Sequence, residues 1–155
     1  MSEHQSTIHW QRRAHPQYPE TYCRNHTAEL NGGQEVLLSA GLEFKGDPQA
    51  ADPEQMLITA VASCHMLFFL AIAEVKGFTV ERYNADVIGY LDKGENGKLM
   101  ITKVVLRPLV AFAADRQPSE PDFMKIMNSA HRQCFIANSI KAELIIEPRM
   151  EVATA

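Results

Sequence analysis

Residues 52–77 read DPEQMLITAVASCHMLFFLAIAEVKG. Asp52 ahead of Pro53 sets an N-cap with proline at the first helical position. Glu54 in the first turn complements the positive end of the helix dipole, and Gly77 supplies the C-terminal stop. Between them Met56, Leu57, Ile58, Val61, Leu67, Phe68, Phe69, Leu70, Ile72 and Val75 put apolar side chains on almost every face. A helix of that kind is buried on all sides or sits in lipid. A run of about twenty residues is long enough to span a bilayer. Thr59, Ser63, His65 and Glu74 interrupt it, however, and no basic cluster flanks one end as an orientation signal would. The stretch therefore predicts a central core helix rather than a membrane span, with Cys64 and His65 at its middle.

Working outward, Thr7-Ile8-His9-Trp10 reads as a short first strand. Tyr22 to Leu30 and Gln34 to Ala40 flank Asn31-Gly32-Gly33, a hairpin signal. Gly41 to Ala51 reads as a loop turning at Gly46-Asp47-Pro48. Beyond the helix the period changes: Val80 to Leu91 alternates as a strand, 94–97 is a turn, and Leu99 to Val110 is a second β-rich run. Ser119-Glu120-Pro121-Asp122 opens a second helix. Its Phe123, Ile126, Met127, Ala130 and Cys134 fall on one stripe, so Cys134 is expected buried near the helix end. Ala142 to Glu147 is a last strand, stopped by Pro148. The order hairpin, helix, hairpin, helix, strand predicts an α+β fold of antiparallel sheet with helices against it. One small sheet cannot cover a helix that is apolar all round, so a second copy of the chain, in an intertwined homodimer, is expected to cover the rest.

The chain has 155 residues, 46% apolar and 22% charged, which suits one soluble domain spanning 1–155 with a polar N-terminal segment, 1–20. A net charge of -4 and no lysine- or arginine-rich run argue against a nucleic-acid partner. MSEHQSTIHW carries no apolar core of a secretory signal. Three cysteines are an odd number for a disulfide framework, so a reducing, cytoplasmic setting is expected.

Cys64 and Cys134 both fall in predicted helices, each with a histidine close by: Cys64-His65 and His131-Arg132-Gln133-Cys134. The plain reading of a buried cysteine is a small hydrophobe. Two functional readings compete with it. One is a thiol redox pair. The other is a zinc site built from Cys64, His65, His131 and Cys134. Adjacent helical residues project about 100° apart, a poor chelating pair, and the spacing matches no common zinc motif. Cys23 reads as a spare thiol, Trp10 as a packing residue, and His65 and His131 as packing or hydrogen-bonding residues.

The segments DPEQMLITAVASCHMLFFLAIA, ITKVVLRPLV and AHRQCFIANSIKAELIIEP resemble the OsmC/Ohr family of thiol peroxidases. The likeness runs from about residue 22 to residue 148 and is most specific around ASCHM and CFIANS. It implies antiparallel sheets wrapped around central helices in an intertwined homodimer. It also implies reduction of organic hydroperoxides, recycling by an external dithiol, and no cofactor or metal. By resemblance Cys64 matches the peroxidatic cysteine, Cys134 the resolving cysteine, and Glu54 the acidic residue of the same motif. The family also uses an arginine from the N-terminal hairpin region; Arg24 is the best match here, ahead of Arg12 and Arg13. The competing expectation is a dimer of the same fold that only senses or binds thiol-reactive or apolar small molecules.

The chemistry sets its own demands on those residues. Cys64 attacks an O–O bond only as a thiolate, and a free cysteine has a pKa of about 8.5 that burial raises further. A guanidinium, charged at any working pH, is a suitable stabiliser, and a carboxylate such as Glu54 orients one by a bidentate pair. Glu54 and Cys64 are ten residues apart, roughly 15 Å along a straight helix. An arginine touching both is easier to place if one comes from the partner chain. Met66, Leu67, Phe68 and Phe135 are expected to line an apolar wall suited to the alkyl part of an organic hydroperoxide.

Overall fold

The computed structural model describes residues 1–151. The chain forms two compact units, Met1–Met56 and Leu57–Ala155.

The first unit is a three-stranded antiparallel sheet, β1 (Thr7–His9), β2 (His26–Glu29) and β3 (Glu35–Leu38), in that order. The strands are shorter than the sequence predicts. The hairpin closes on Leu30, whose N–H donates to the Gln34 carbonyl at 2.8 Å. Three residues remain between that pair, so Asn31–Gly33 takes a 3-10 turn rather than a two-residue turn. Gly32 and Gly33 both have positive φ, 72° and 74°, a run of conformations that side-chain-bearing residues resist. The loop after β3 contains another 3-10 turn, Leu42–Phe44.

The helix α1 (Pro53–Val75) starts and stops where its sequence says it should. The Asp52 side chain accepts from the Gln55 N–H at 2.7 Å while the Gln55 side chain accepts from the Asp52 N–H at 3.1 Å, a reciprocal cap. At the other end Gly77, with φ 76°, donates to the Glu74 carbonyl and Phe78 donates to the Ala73 carbonyl. These two bonds form a Schellman stop.

In the second unit α1 is followed by β4 (Val80–Lys93), β5 (Leu99–Phe112), α2 (Glu120–Gln133), a 3-10 turn at Ala137–Ser139, β6 (Glu143–Ile146) and β7 (Arg149–Met150). β4 and β5 form a long antiparallel hairpin. β6 and β7 pair parallel to β5, so the sheet is mixed rather than wholly antiparallel. The cause is α2: a helix inserted between β5 and β6 carries the chain back across the sheet, and the returning strand runs parallel. Pro148 ends β6 as expected, but the chain then pairs again, through β7, with Leu109 and Val110. The buried Pro108 sits in β5 at the break between the two short partners, where a missing N–H costs no ladder bond.

The core joins Phe69 and Ala73 of α1, Val110 and Phe112 of β5, and Phe123, Ile126, Met127 and Ala130 of α2. Ser119 caps α2 by accepting from the Asp122 N–H. Gly89 of β4 lies so close to α1 that a Cβ there would stand 2.7 Å from Ile58. Only Val61, His65, Phe69 and Ala73 of α1 are fully buried. The sequence predicts burial on all sides; within one chain the helix is buried along one stripe, because the sheet and α2 contact one face.

Candidate functional site

The stripe that buries α2 also delivers its last residue to α1. Cys134 is the C-cap of α2, fully buried, with its N–H bonded to the Ala130 carbonyl at 2.9 Å. Its sulfur lies 4.0 Å from the Val61 carbonyl of α1, one turn before Cys64. Cys134 thus packs against the turn of α1 that ends at Cys64, 70 positions away in the chain. Both are free thiols; Cys64 is half-buried.

A third group completes this cluster. The chain turns sharply after Cys134, and the Ala137 N–H donates to the Cys134 sulfur at 3.4 Å. Burial pushes the Cys134 thiol up from its usual range, the neighbouring Cys64 adds to this, and the Ala137 and Ile136 N–H groups oppose it. Cys134 is thus held as a neutral thiol beside a more accessible one. Sequence reasoning missed the role of Ala137 because a backbone donor carries no residue-type signature.

His65, next to Cys64 on the helix, is buried in the core. Its Nε2 is 3.3 Å from the Met127 carbonyl and its Nδ1 3.5 Å from the Tyr83 hydroxyl. A carbonyl only accepts, so the proton sits on Nε2, and Nδ1 accepts from the tyrosine. Burial lowers the His65 pKa to about 4, the Met127 carbonyl opposes that shift, and His131 adds to it. Burial also raises the Tyr83 pKa. Both ring nitrogens are engaged, so His65 ties α1 to α2 and β4 and has no lone pair left for a metal. Among the described residues no group of three or more His, Cys, Asp or Glu side chains is arranged to hold a metal ion.

Beside the thiols, Phe68 and Phe135 meet edge to face, with ring centroids 4.9 Å apart. Phe68 lies one turn after Cys64 and Phe135 directly follows Cys134. Phe135 is 71% exposed and Leu67 59%, an apolar surface beside the cysteine-bearing segments.

In the first unit, Arg24 precedes β2. Its guanidinium donates to the Tyr22 carbonyl and to the Thr21 hydroxyl, and lies over the Tyr22 ring, 4.2 Å from its centroid. Glu54 is half-buried in the first turn of α1. Among the described residues no ion pair joins Glu54 to an arginine. Arg12 and Arg13 are exposed; Arg13 lies near enough to Asp47 to favour its charged form, behind the stronger effects of the Gln49 N–H and the Asn25 side chain. Cys23 is buried, and its carbonyl accepts from the Trp10 indole at 3.0 Å.

The OsmC-like protein family pattern matches residues 46–149. An OsmC-like protein of unknown function from Vibrio cholerae is 37% identical over 96% of this chain and 100% of its own, with a TM-score of 0.89. An uncharacterized protein of Bacillus subtilis, YmaD, is 22% identical over 80% of this chain and 83% of its own. The fold also matches an organic hydroperoxide resistance protein from Legionella pneumophila, with a TM-score of 0.67 at 16% identity, covering 98% of each chain.

Proposed function

The chain belongs to the OsmC-like family, and from that premise we propose that it is a thiol-dependent peroxidase that reduces organic hydroperoxides. The family fold includes organic hydroperoxide resistance proteins. The observation that carries the reading is the packing of the buried Cys134 sulfur against α1, 4.0 Å from the Val61 carbonyl and one turn before the half-buried Cys64.

In this reading the Cys64 thiolate attacks the outer peroxide oxygen, the O–O bond breaks, and an alcohol leaves. Cys64 becomes a sulfenic acid, which condenses with the adjacent Cys134 thiol and releases water. An external dithiol reduces the resulting disulfide. We assign the guanidinium that holds the thiolate to Arg24, and its orientation to Glu54, on the family pattern. Phe68 and Phe135 receive the alkyl group.

The two units act as one OsmC-like domain, in a homodimer. Support comes from α1, which has the length and hydropathy of a membrane-crossing helix yet leaves most of its faces partly uncovered within one chain. A second copy covers such a surface, since apolar area is stabilised when removed from water by roughly 25 cal/mol per Å². The setting is a reducing, cytoplasmic one.

The competing reading, a non-catalytic dimer that senses or binds thiol-reactive or apolar molecules, draws on one observation. Arg24 is engaged by its own segment of chain, at Tyr22 and Thr21. Stopped-flow turnover of cumene hydroperoxide with dithiothreitol separates the two. Peroxidase action gives rapid turnover and loss of two thiols per chain on one equivalent of peroxide. Cys64→Ser abolishes both; wild-type turnover in that variant refutes the assignment. Cys134→Ser retains the first turnover and then accumulates sulfinic and sulfonic acid at Cys64, read by mass spectrometry.

A further inference from the structure

The reactive pair is asymmetric in a way that bears on how it is reset. Cys134 has no exposed surface. Its sulfur is enclosed by the Val61 carbonyl at 4.0 Å, the Ala137 N–H at 3.4 Å and the neighbouring Cys64. Cys64 is half-buried. Thiol–disulfide exchange needs the attacking, central and departing sulfurs close to one line. The Cys134 sulfur has no exposed surface through which a reductant could reach it. The peroxidase reading already requires a path for the peroxide to the Cys64 sulfur, and a reductant thiolate that takes the same path expels Cys134.

We propose that the dithiol reductant attacks the Cys64 sulfur of the Cys64–Cys134 disulfide, and that Cys134 is the leaving thiolate, received by the Ala137 N–H. The proposal rests on the peroxidase reading for the disulfide itself. In the first step a reductant thiolate forms a bond to the Cys64 sulfur. The intramolecular disulfide breaks, its electron pair goes to Cys134, and a proton from solvent follows. In the second step the other thiolate of the reductant attacks the reductant sulfur held on Cys64. The mixed disulfide breaks, and Cys64 leaves as a thiolate. Two electrons pass from the dithiol, which ends as its own disulfide, to the protein pair.

Two opposing effects meet at Cys134. Burial, which pushes its thiol up, makes it a slower leaving group. The Ala137 N–H, aimed at the sulfur, offsets part of that cost. Access decides the site of attack because a leaving-group penalty slows a step, whereas an enclosed sulfur offers no line of approach. The placement favours a dithiol over a monothiol. A monothiol joined to Cys64 sits beside the Cys134 thiol, which re-forms the disulfide and ejects it. A dithiol completes the second step within the mixed disulfide.

The disulfide is formed in the full-length protein with diamide, without peroxide, and its formation is scored by loss of two thiols. Brief exposure to 2-mercaptoethanol, an acid quench that stops exchange, labelling with excess N-ethylmaleimide after unfolding and peptide mass spectrometry then locate both labels. The expected product carries mercaptoethanol on Cys64 and maleimide on Cys134, in about tenfold or greater excess over the reverse. The same reaction in denaturing urea removes the preference. A reverse or even distribution in the folded protein overturns the proposal, as does failure of diamide to join the two thiols. If diamide joins them but peroxide does not, the peroxidase reading fails while the direction of attack is still scored.

Discussion

Acid should weaken this fold through His65, and the size of the effect follows from its surroundings. The ring is fully buried, donates from Nε2 to the Met127 carbonyl and accepts at Nδ1 from Tyr83. Its pKa falls from 6.5 to about 4, first because burial disfavours the charge. The facing groups do not relieve that: Tyr83 stays neutral because burial raises its pKa, and a charge on His131 opposes one on His65. Between these two values the unfolded chain binds a proton that the folded one does not, so stability rises with pH across the window. The contribution is fully present above about pH 6.5 and is lost progressively as pH falls, up to about 3 kcal/mol at pH 4. From pH 7.5 to pH 5 the loss is about 2 kcal/mol. The perturbation is His65→Gln, which keeps a donor for the Met127 carbonyl and removes the titration. Urea unfolding of the reduced protein, at fixed protein concentration, gives the free energy of each form at both pH values. Wild type is expected to lose about 2 kcal/mol more than the variant, and the His65 ring resonances should titrate with a midpoint near 4. Parallel pH profiles, agreeing within about 0.5 kcal/mol, would refute the reasoning.

Two further substitutions test neighbouring parts of the account. Phe135→Ala removes the exposed ring that packs on Phe68. With roughly 50 Å² of the alkyl group left in water, kcat/KM for cumene hydroperoxide should fall roughly five- to tenfold. Turnover of hydrogen peroxide should change little, and an equal fall for both substrates would count against an alkyl-binding role. Asp52→Ala removes the acceptor for the Gln55 N–H at the start of α1. It should cost about 1 kcal/mol in urea unfolding, recovered largely in Asp52→Ser; no change would mean the cap contributes nothing to the start of the helix.

Much of the fold was legible in the chain. Asp52, Gln55 and Gly77 mark the ends of α1 because capping is local chemistry, completed within a few residues. The stripe Phe123, Ile126, Met127, Ala130 fixes which face of α2 is buried, and so predicts a buried Cys134. The packing of Cys134 against α1, one turn before Cys64, is different in kind. The resemblance implied it, but no local pattern carries it, because it depends on where one helix ends against the side of another. Arg24 shows the reverse case: its residue type suits an anion, while its nearest partners are the Tyr22 carbonyl and the Thr21 hydroxyl.

Periodicity, caps and residue type act over a turn or two of chain. They were enough to specify most of the elements, their order and the apolar central helix. The parallel return of β6 and β7, the Tyr83–His65–Met127 link, and the partial burial of Cys64 emerge only when the chain is packed. Those features depend on distances between segments far apart in sequence, and such distances are set by how the packed faces of helix and sheet meet.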